Sequence, residues 1–214
     1  MTLRARVYEA LGTVYDPELD EPITTLGFVG SCVVDGGDVS VRLRLPTPQC
    51  APNFAFLMAA DASAAVWAVA GVRSVDVVLE DHYTGAEINA TVNAGGAFSD
   101  AFPGETRGEL DALRALFQRK ALLARQSRLL SVDVSRLGDL AGPDAERVRE
   151  LRRALGIDAS DDAAPFVTGD GSPVSADDVK FRRMASLTAL SLETNGGMCR
   201  DLLRVRYAEE GVAA

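Results

Sequence analysis

The sequence predicts an α+β protein in which a small domain with the order helix, hairpin, helix, strand precedes a mainly helical region. Apolar residues alternate along residues 28–34 and 39–45, and the turn signal Asp35-Gly36-Gly37-Asp38 joins these segments, which predicts a hairpin. A long apolar helical pattern follows over residues 53–70. Alternation resumes over residues 72–79 and predicts a third strand.

The first helix is predicted to begin after Thr2, whose side chain can cap it. It should end at Tyr15, because Asp16 precedes Pro17 and is pushed out of the α region. Thr84 can cap a further short helix before a Gly- and Pro-containing stretch. We therefore expect a first domain over residues 1–92, a linker over 93–106 and a helical domain over 107–214.

Helical periodicity divides the C-terminal region into segments at residues 109–130, 144–155, 175–192 and 198–207. Asn195-Gly196-Gly197 is predicted to break the chain between the last two segments. The first segment is basic, and an ordinary amphipathic helix with a solvated charged face explains it. Trp67, the single tryptophan, is expected in the core.

Charge is distributed unevenly along the chain. Residues 1–104 contain five arginines, no lysine and 13 acidic residues, and so carry nearly all of the formal net charge of −9. An acidic first domain argues against nucleic acid or an anionic membrane as a partner, since both require clustered basic residues. The N-terminus lacks a signal-peptide pattern and no apolar run reaches membrane-spanning length, so we expect a cytoplasmic protein.

Cysteine usage excludes several classes of site. Cys32, Cys50 and Cys199 are far apart, odd in number and form no C-x-x-C motif, so they make neither a disulfide framework nor a self-sufficient zinc or cluster set. Cys50 lies in the proline-rich loop 46–52, between a strand and the start of a helix. Unpaired N–H groups and the helix dipole favour a thiolate there. A small buried structural cysteine is the alternative.

Two other segments carry candidate ligands. The loop after the first helix contains Asp16, Glu18, Asp20 and Glu21, and it is either a solvated acidic turn or a site for a cation or basic partner. His82, the single histidine, follows the third strand and is either a hydrogen-bonded structural residue or a ligand. The order of elements lets these strand-end and loop residues converge with Cys50. Cys199 lies in the first turn of the predicted last helix, and a buried structural role is its default interpretation.

Several short motifs follow one family pattern in order. Asp16-Pro17-Glu18-Leu19 and Leu26-Gly27 are followed by Leu45-Pro46-Thr47 with Cys50 and Pro52, and then by Gly71-Val72 and Val75-Asp76-Val77. In these motifs the chain resembles the small metal–sulfur cluster assembly domains of the SufT, PaaD and cytosolic iron–sulfur assembly type. The resemblance covers roughly residues 4–80. One departure is Ala51, which stands where the family commonly has a proline directly after the cysteine.

The resemblance implies an α/β sandwich with a small mixed sheet, and a role in maturing iron–sulfur or other iron proteins. It implies that Cys50 is the functional cysteine, that the loop of Asp16 and Glu18 lies near it, and that Thr47 belongs to the same motif. Phrases such as Asp81-His82-Tyr83 and Cys199-Arg200-Asp201-Leu202-Leu203 are similar to longer actinobacterial members. Those members accompany soluble di-iron monooxygenases.

Three functional hypotheses follow. The first is a non-catalytic maturation factor that binds iron or an iron–sulfur cluster transiently and passes it to a client metalloprotein, alone or with other assembly factors. Its open, low-affinity iron site would use Cys50 and His82 with Asp16 or Glu18, and Cys199 could join it. Too few thiolates are present for one chain to hold a cluster, so a bridged homodimer is a variant of this hypothesis. The second is an adaptor or chaperone that binds its client without metal, and the third is a thiol-dependent enzyme using Cys50 and His82.

Overall fold

The computed structural model describes residues 1–104 and 110–208. The chain forms two compact units, one made of residues 1–110 and 196–214 and the other of residues 111–195. These limits differ from the expected domains at 1–92 and 107–214, whose boundaries stay predictions. No local sequence pattern signals that a late segment returns to the first unit.

A three-stranded mixed sheet lies at the centre of the first unit. Strands β3 (Val29–Asp35) and β4 (Asp38–Arg44) are antiparallel, and β5 (Ser74–Glu80) runs parallel to β4 on its other side. Alternate side chains of β4 are buried, as period-two alternation requires. The sheet and its helices confirm the predicted α+β class.

The first helix ends earlier than predicted. Helix α1 spans Leu3–Leu11 with Thr2 as its cap, and the chain turns at Gly12 rather than continuing to Tyr15. Two short strands, β1 (Tyr15–Asp16) and β2 (Glu21–Pro22), then pair with each other across the acidic loop. The chain has therefore left the helix and entered β1 before it reaches Pro17.

Three further helices complete the first unit along the chain. Helix α2 (Pro52–Trp67) and helix α3 (Gly85–Asn93) both contact β5 and each other. Helix α4 (Phe98–Ala101) lies inside the stretch predicted to be a linker. Phe98 is buried there and packs edge-to-face on Phe56, with ring centroids 5.4 Å apart. Phe98 therefore joins the core from within the stretch expected to be a linker, of which residues 105–106 lie outside the described residues.

The second unit has its own core around two helices. Helix α5 (Asp111–Ser127) packs against helix α6 (Pro143–Ala154), with a 3₁₀ turn at Leu137–Asp139 between them. Arg152 is fully buried and donates to the carbonyls of Ala164 and Pro165 at 2.8 Å, so its charge organises a loop. After α6, an isolated β-bridge joins Val167 and Pro173.

The last helix corrects a prediction. Helix α7 spans Val179–Arg206 without interruption, so Asn195-Gly196-Gly197 does not break the chain. A glycine in a helix costs only about 1 kcal/mol relative to alanine, and packing can offset that cost. Gly196 is buried, and a β-carbon there would lie 2.7 Å from Glu21 Oε1, so a side chain at this position would require the Glu21 carboxylate to move. Among the described residues, no helix is both long and apolar enough to cross a membrane.

Candidate functional site

The proline-rich loop 46–52 presents Cys50 between β4 and α2. The backbone N–H of Cys50 donates to the Thr47 carbonyl at 3.4 Å, which closes the loop as a tight turn. Thr47 Oγ1 lies 3.5 Å from Cys50 Sγ and accepts a hydrogen bond from the Gln49 N–H at 3.3 Å. Cys50 is half-buried and stands directly before Ala51, the N-cap of α2. The loop thus holds the sulfur at the start of a helix, as the sequence predicted.

His82 attaches this loop to the end of β5. Its Nε2 lies 2.7 Å from the Cys50 carbonyl, and its Nδ1 lies within 3.3 Å of both the N–H and the hydroxyl of Thr84. A neutral ring with its proton on Nε2 satisfies these contacts, because a carbonyl can only accept and the Thr84 N–H can only donate. Burial, with a smaller effect from the Arg206 charge, lowers the pKa of His82 despite the bond to Cys50.

The bonds of His82 bear on its expected role as a ligand. Both ring nitrogens are engaged by protein groups, so binding a metal would require one of these bonds to be released. The Tyr83 N–H also donates to the Pro48 carbonyl at 3.0 Å, which fastens the same two segments together a second time. In this arrangement His82 positions the Cys50 loop.

Asp16 organises the acidic loop between β1 and β2. Its Oδ1 accepts hydrogen bonds from the N–H groups of Glu18 and Leu19 at 2.8 and 2.9 Å. The carboxyl is 7% exposed, and burial raises its pKa to about 6. The two backbone bonds oppose this rise, whereas the charges of Glu18 and Glu21 add to it. Asp16 is therefore a buried proton-binding group, while the side chain of Glu18 is exposed.

Cys199, on α7, lies in the same neighbourhood. It is half-buried and packs against the core of the first unit. Burial raises the pKa of its thiol to about 11, and negative charge at Asp16, Cys50 and Glu18 adds to the rise. The Arg200 guanidinium opposes it. The structure thus brings Cys199 within electrostatic reach of Cys50, Asp16 and Glu18.

The C-terminal end of α7 is fastened to the first unit by groups that sequence reasoning missed. Arg206 donates to the carbonyl of Leu45, at 2.9 Å, and to that of Asp81. Tyr207 donates to the Asp81 carboxylate at 3.2 Å, and Arg200 forms an ion pair with Glu21. Leu45 and Asp81 directly precede the Cys50 loop and His82. No sequence signal could have linked residues separated by more than a hundred positions.

The available donor atoms suit weak, exchangeable metal binding better than a closed structural metal site. Two thiols and two carboxyls share one neighbourhood, a mixture of sulfur and oxygen donors that ferrous iron accepts. Within residues 1–104 and 110–208, no three His, Cys, Asp or Glu side chains are arranged as a ready-made metal site. Cys32 lies elsewhere, on β3, where it is half-buried and burial raises its pKa.

Comparison with known proteins gives two matches. The family described as iron-sulfur cluster assembly protein matches residues 4–77. An uncharacterized protein of Methanocaldococcus jannaschii is 34% identical over 90 residues, which make up 42% of this chain and 93% of that relative. No solved structure matches the chain.

The matched stretch contains the structural centre of the site. Residues 4–77 include Asp16, Glu18, Thr47 and Cys50, together with the first two strands of the sheet, whereas His82 and Cys199 lie outside it. The relative is matched over almost its whole length. Through this N-terminal domain, the chain belongs to the iron–sulfur cluster assembly protein family.

Proposed function

We propose that the protein is an accessory maturation factor that holds iron or an iron–sulfur cluster transiently at Cys50 and passes it to a client metalloprotein. Membership of the family supports a role in iron–sulfur cluster assembly or maturation, and it indicates an accessory rather than a catalytic role. The observation that carries the proposal is that the charges of Asp16, Cys50 and Glu18 all act on the Cys199 thiol. The iron or cluster is cargo, so weak and reversible binding is what this task requires.

Cys50 and Cys199 would supply sulfur, and Asp16 or Glu18 would supply oxygen, with Thr47 beside the Cys50 sulfur. Metal ligands must be deprotonated, so binding at neutral pH has to release the proton of Cys199, whose pKa is raised to about 11, whereas Asp16, with a pKa of about 6, is already mostly ionised there. Burial that raises these pKa values makes binding weaker and release easier. His82 would act by holding the loop, and as a ligand only after releasing Cys50 or Thr84.

Two thiolates are too few to hold a cluster within one chain, so a cluster would need sulfur from a second copy or from the client. Ferrous iron has no such requirement. A client that takes iron is consistent with the resemblance of residues 81–83 and 199–203 to members that accompany soluble di-iron monooxygenases. We therefore propose an iron-dependent oxygenase as the client.

An anaerobic titration with Fe(II) tests whether the protein binds iron through Cys50 and Cys199. Wild type should bind iron weakly, and both Cys50→Ser and Cys199→Ser should bind at least roughly tenfold more weakly, a change of about 1.4 kcal/mol. Cys32→Ser is the matched control and should bind as wild type does, because Cys32 lies on β3. Iron content and Mössbauer spectra of the anaerobic samples report binding without any client. Equal binding by all four proteins would overturn the iron-binding proposal.

A second candidate is an adaptor that binds the client without metal. It is favoured by one observation: the described side chains form no ready-made metal site. Activation of the purified client separates the two functions. Cys50→Ser should abolish activation by a metal carrier, whereas an adaptor should retain it as long as circular dichroism shows an intact fold.

A further inference from the structure

The two outer edges of the central sheet differ in their hydrogen bonding. On the β5 side, the Asn89 amide accepts from the Leu79 N–H at 2.8 Å and donates to the Leu79 carbonyl at 3.2 Å. Asn93 makes the same pair of bonds with Val77, both at 2.9 Å. Four residues of a helix and two residues of a strand both span about 6–7 Å, so the two asparagines of α3 pair with this edge as a neighbouring strand would.

Strand β3 forms the opposite edge, and no strand of the described residues pairs with its outer side. The two-residue turn at 36–37 makes Asp35 and Asp38 a hydrogen-bonded pair, so the backbone groups of Cys32 and Val34 point away from β4. Val33 between them is 59% exposed, and residues 31–34 include neither a proline nor a charged side chain. Proteins usually protect an edge strand with such residues, so this unprotected edge is typical of a strand that pairs with another extended chain.

A basic cleft lies at the start of this edge. Its volume is about 400 Å³, and its lining includes three arginines, a tyrosine and two glycines: Arg44, Arg200, Arg204, Tyr207, Gly27 and Gly30. The described residues that line it include no acidic side chain, and all of them belong to the first unit. The register shifts at Gly30, a bulge that leaves this residue without a partner in the ladder. The cleft therefore concentrates positive charge in a unit whose residues 1–104 are acidic.

Two arginines of the cleft retain hydrogen-bond donors for a further anion. Arg200 pairs with Glu21 through Nη1, and Arg204 pairs with Asp201 through Nη2. A guanidinium carries five N–H donors, so each ion pair leaves other donors of the same side chain available. The side chains of Arg200 and Arg204 are 40% and 76% exposed, which keeps these donors accessible. Because guanidinium groups bind carboxylates through paired hydrogen bonds, the cleft fits an acidic side chain.

We propose that the outer edge of residues 31–35 and this cleft, together called the β3 groove, bind an extended acidic segment of a partner protein. The segment pairs with Cys32 and Val34 antiparallel to β3, because antiparallel pairing is the more stable arrangement per residue. Its residues beyond the paired part then reach the cleft, where their carboxylates meet Arg200 and Arg204. Arg200 directly follows Cys199, so the segment ends beside the proposed iron site. Naming the partner as the client rests on the proposed function, whereas the groove itself does not.

Binding of a synthetic peptide to the full-length, metal-free chain tests the proposal. The probe is a fluorescent, C-terminally amidated peptide of alternating threonine and valine that ends in two glutamates. It should bind about tenfold more tightly than the same peptide ending in two glutamines, which cannot form charge-assisted hydrogen bonds. A peptide that begins with the glutamates should also bind more weakly, since antiparallel pairing would hold them near Asp35. Equal fluorescence anisotropy curves for the three peptides would overturn the proposal, whether or not the chain carries iron.

Hydrogen exchange tests the pairing with β3. The amides of Cys32 and Val34 should exchange more slowly once the peptide is bound, whereas the amide of Val33, which points towards β4, should change little. Methylation of every second backbone nitrogen of the peptide gives two alternate sets. One set should abolish binding and the other should leave it nearly unchanged, because only alternate N–H groups face β3. Equal effects of the two sets, or unchanged exchange at Cys32 and Val34, would exclude this pairing.

Variants test the cleft and identify its occupant. Arg204→Gln should weaken peptide binding about threefold, while Arg183→Gln, at an exposed arginine of the same helix outside the cleft, should not. The double variant Glu209→Gln and Glu210→Gln should bind the peptide as wild type does, and tighter binding would assign the cleft to the chain's own acidic residues. Slower exchange along residues 31–35 as the concentration of the chain alone rises would assign the edge to a second copy. Either of these results, or equal binding by Arg204→Gln and Arg183→Gln, would overturn the proposal.

Discussion

Asp16 is buried, whereas an ordinary carboxylate lies in solvent, and this burial raises its pKa. Its pKa of about 6 lies above the ordinary value of 3.8, so between these values the folded chain retains a proton that the unfolded chain loses. Stability therefore falls as the pH rises from about 4 to about 6 and is level above that range. The shift corresponds to roughly 3 kcal/mol, at 1.36 kcal/mol for each pH unit.

Asp16→Asn should remove this dependence in the metal-free protein. The amide oxygen can still accept from the N–H groups of Glu18 and Leu19, but no charge has to be buried. We expect the variant to be more stable than wild type by about 1–3 kcal/mol at pH 7.5, and about equally stable at pH 4. Urea unfolding at both pH values measures this. Glu18→Gln, at an exposed carboxyl, is the control and should change stability by less than about 0.5 kcal/mol.

Cys199 should react slowly with alkylating reagents in the metal-free protein. Only the thiolate reacts, and with a pKa of about 11 its population rises about tenfold per pH unit between pH 8 and 10. Asp16→Asn should speed alkylation of Cys199 at pH 8, because a negative charge that raises its pKa is removed. Peptide mass mapping after timed iodoacetamide treatment gives the rate. A rate that is already independent of pH at pH 8 would contradict the raised pKa.

Single residues were predictable where local chain geometry decides their environment. The start of α2 gave the position of Cys50, and the prolines around Asp16 indicated a tight acidic loop. The approach of Cys199 to these groups was proposed only as an addition, because no periodicity connects α7 with the first 60 residues. Trp67 was expected in the core and is 51% exposed, since it occupies the last turn of α2, where its face reaches solvent.

At the scale of elements, the Cys50 loop depends on its attachment to β5. His82→Ala removes the bond to the Cys50 carbonyl, so the loop should open more often and Cys50 should be alkylated several-fold faster. Cys32 provides the reference within the same molecule and should react at an unchanged rate. Tyr83→Ala is the control, because the backbone bond from residue 83 to Pro48 remains. An unchanged Cys50 rate in His82→Ala would show that Tyr83 and the prolines suffice.

The two glycines of α7 should respond differently to alanine. A β-carbon at Gly197 would meet no atom of the described residues within 4 Å, so Gly197→Ala should stabilise the protein by about 0.5–1 kcal/mol through helix propensity. At Gly196 the β-carbon would displace Glu21, which pairs with Arg200. Gly196→Ala should therefore be less stable than Gly197→Ala in thermal unfolding. Equal gains would show that the Glu21–Arg200 pair adjusts without cost.

Elements with a strong period were predicted well, and those decided by tertiary packing were not. The alternation of β3, β4 and β5 and the long apolar run of α2 appear within a few residues of their expected limits. The continuity of α7 could not be predicted, because paired glycines disfavour a helix locally and tertiary packing can override that preference. Helix α4 could not be predicted, because its composition is that of a linker. Its place in the core depends on the edge-to-face contact of Phe98 with Phe56.

At the scale of the whole molecule, the first unit is assembled from two distant parts of the chain. Ending the chain after Asn195 removes Cys199 and Leu203 from its core, along with the bonds of Arg206. We expect the first unit of the shortened chain to unfold at a temperature several degrees lower. Trp67, the single tryptophan, lies in this unit, so its fluorescence reports the transition directly. An unchanged midpoint would mean that residues 1–110 are stable alone.

The family domain itself could be predicted from sequence, because its motifs are local and occur in order within residues 4–77. Helices α5 and α6 followed from helical periodicity, with limits within a few residues, whereas α7 continues past the break predicted after residue 192. Periodicity could not predict that residues 111–195 interrupt the first unit. Contacts between residues so far apart along the chain leave no pattern within a single sequence.

This interruption determines the order in which the site is completed during synthesis. A ribosome releases the chain from its N-terminus, so Asp16 and Cys50 emerge while the second unit has yet to be translated. Cys199 follows only after about 150 further residues, or roughly 10–30 s at common bacterial rates. A nascent chain therefore has one thiol of the pair throughout that interval. Any cargo that requires both sulfur atoms can be taken up only after residue 199 has left the exit tunnel.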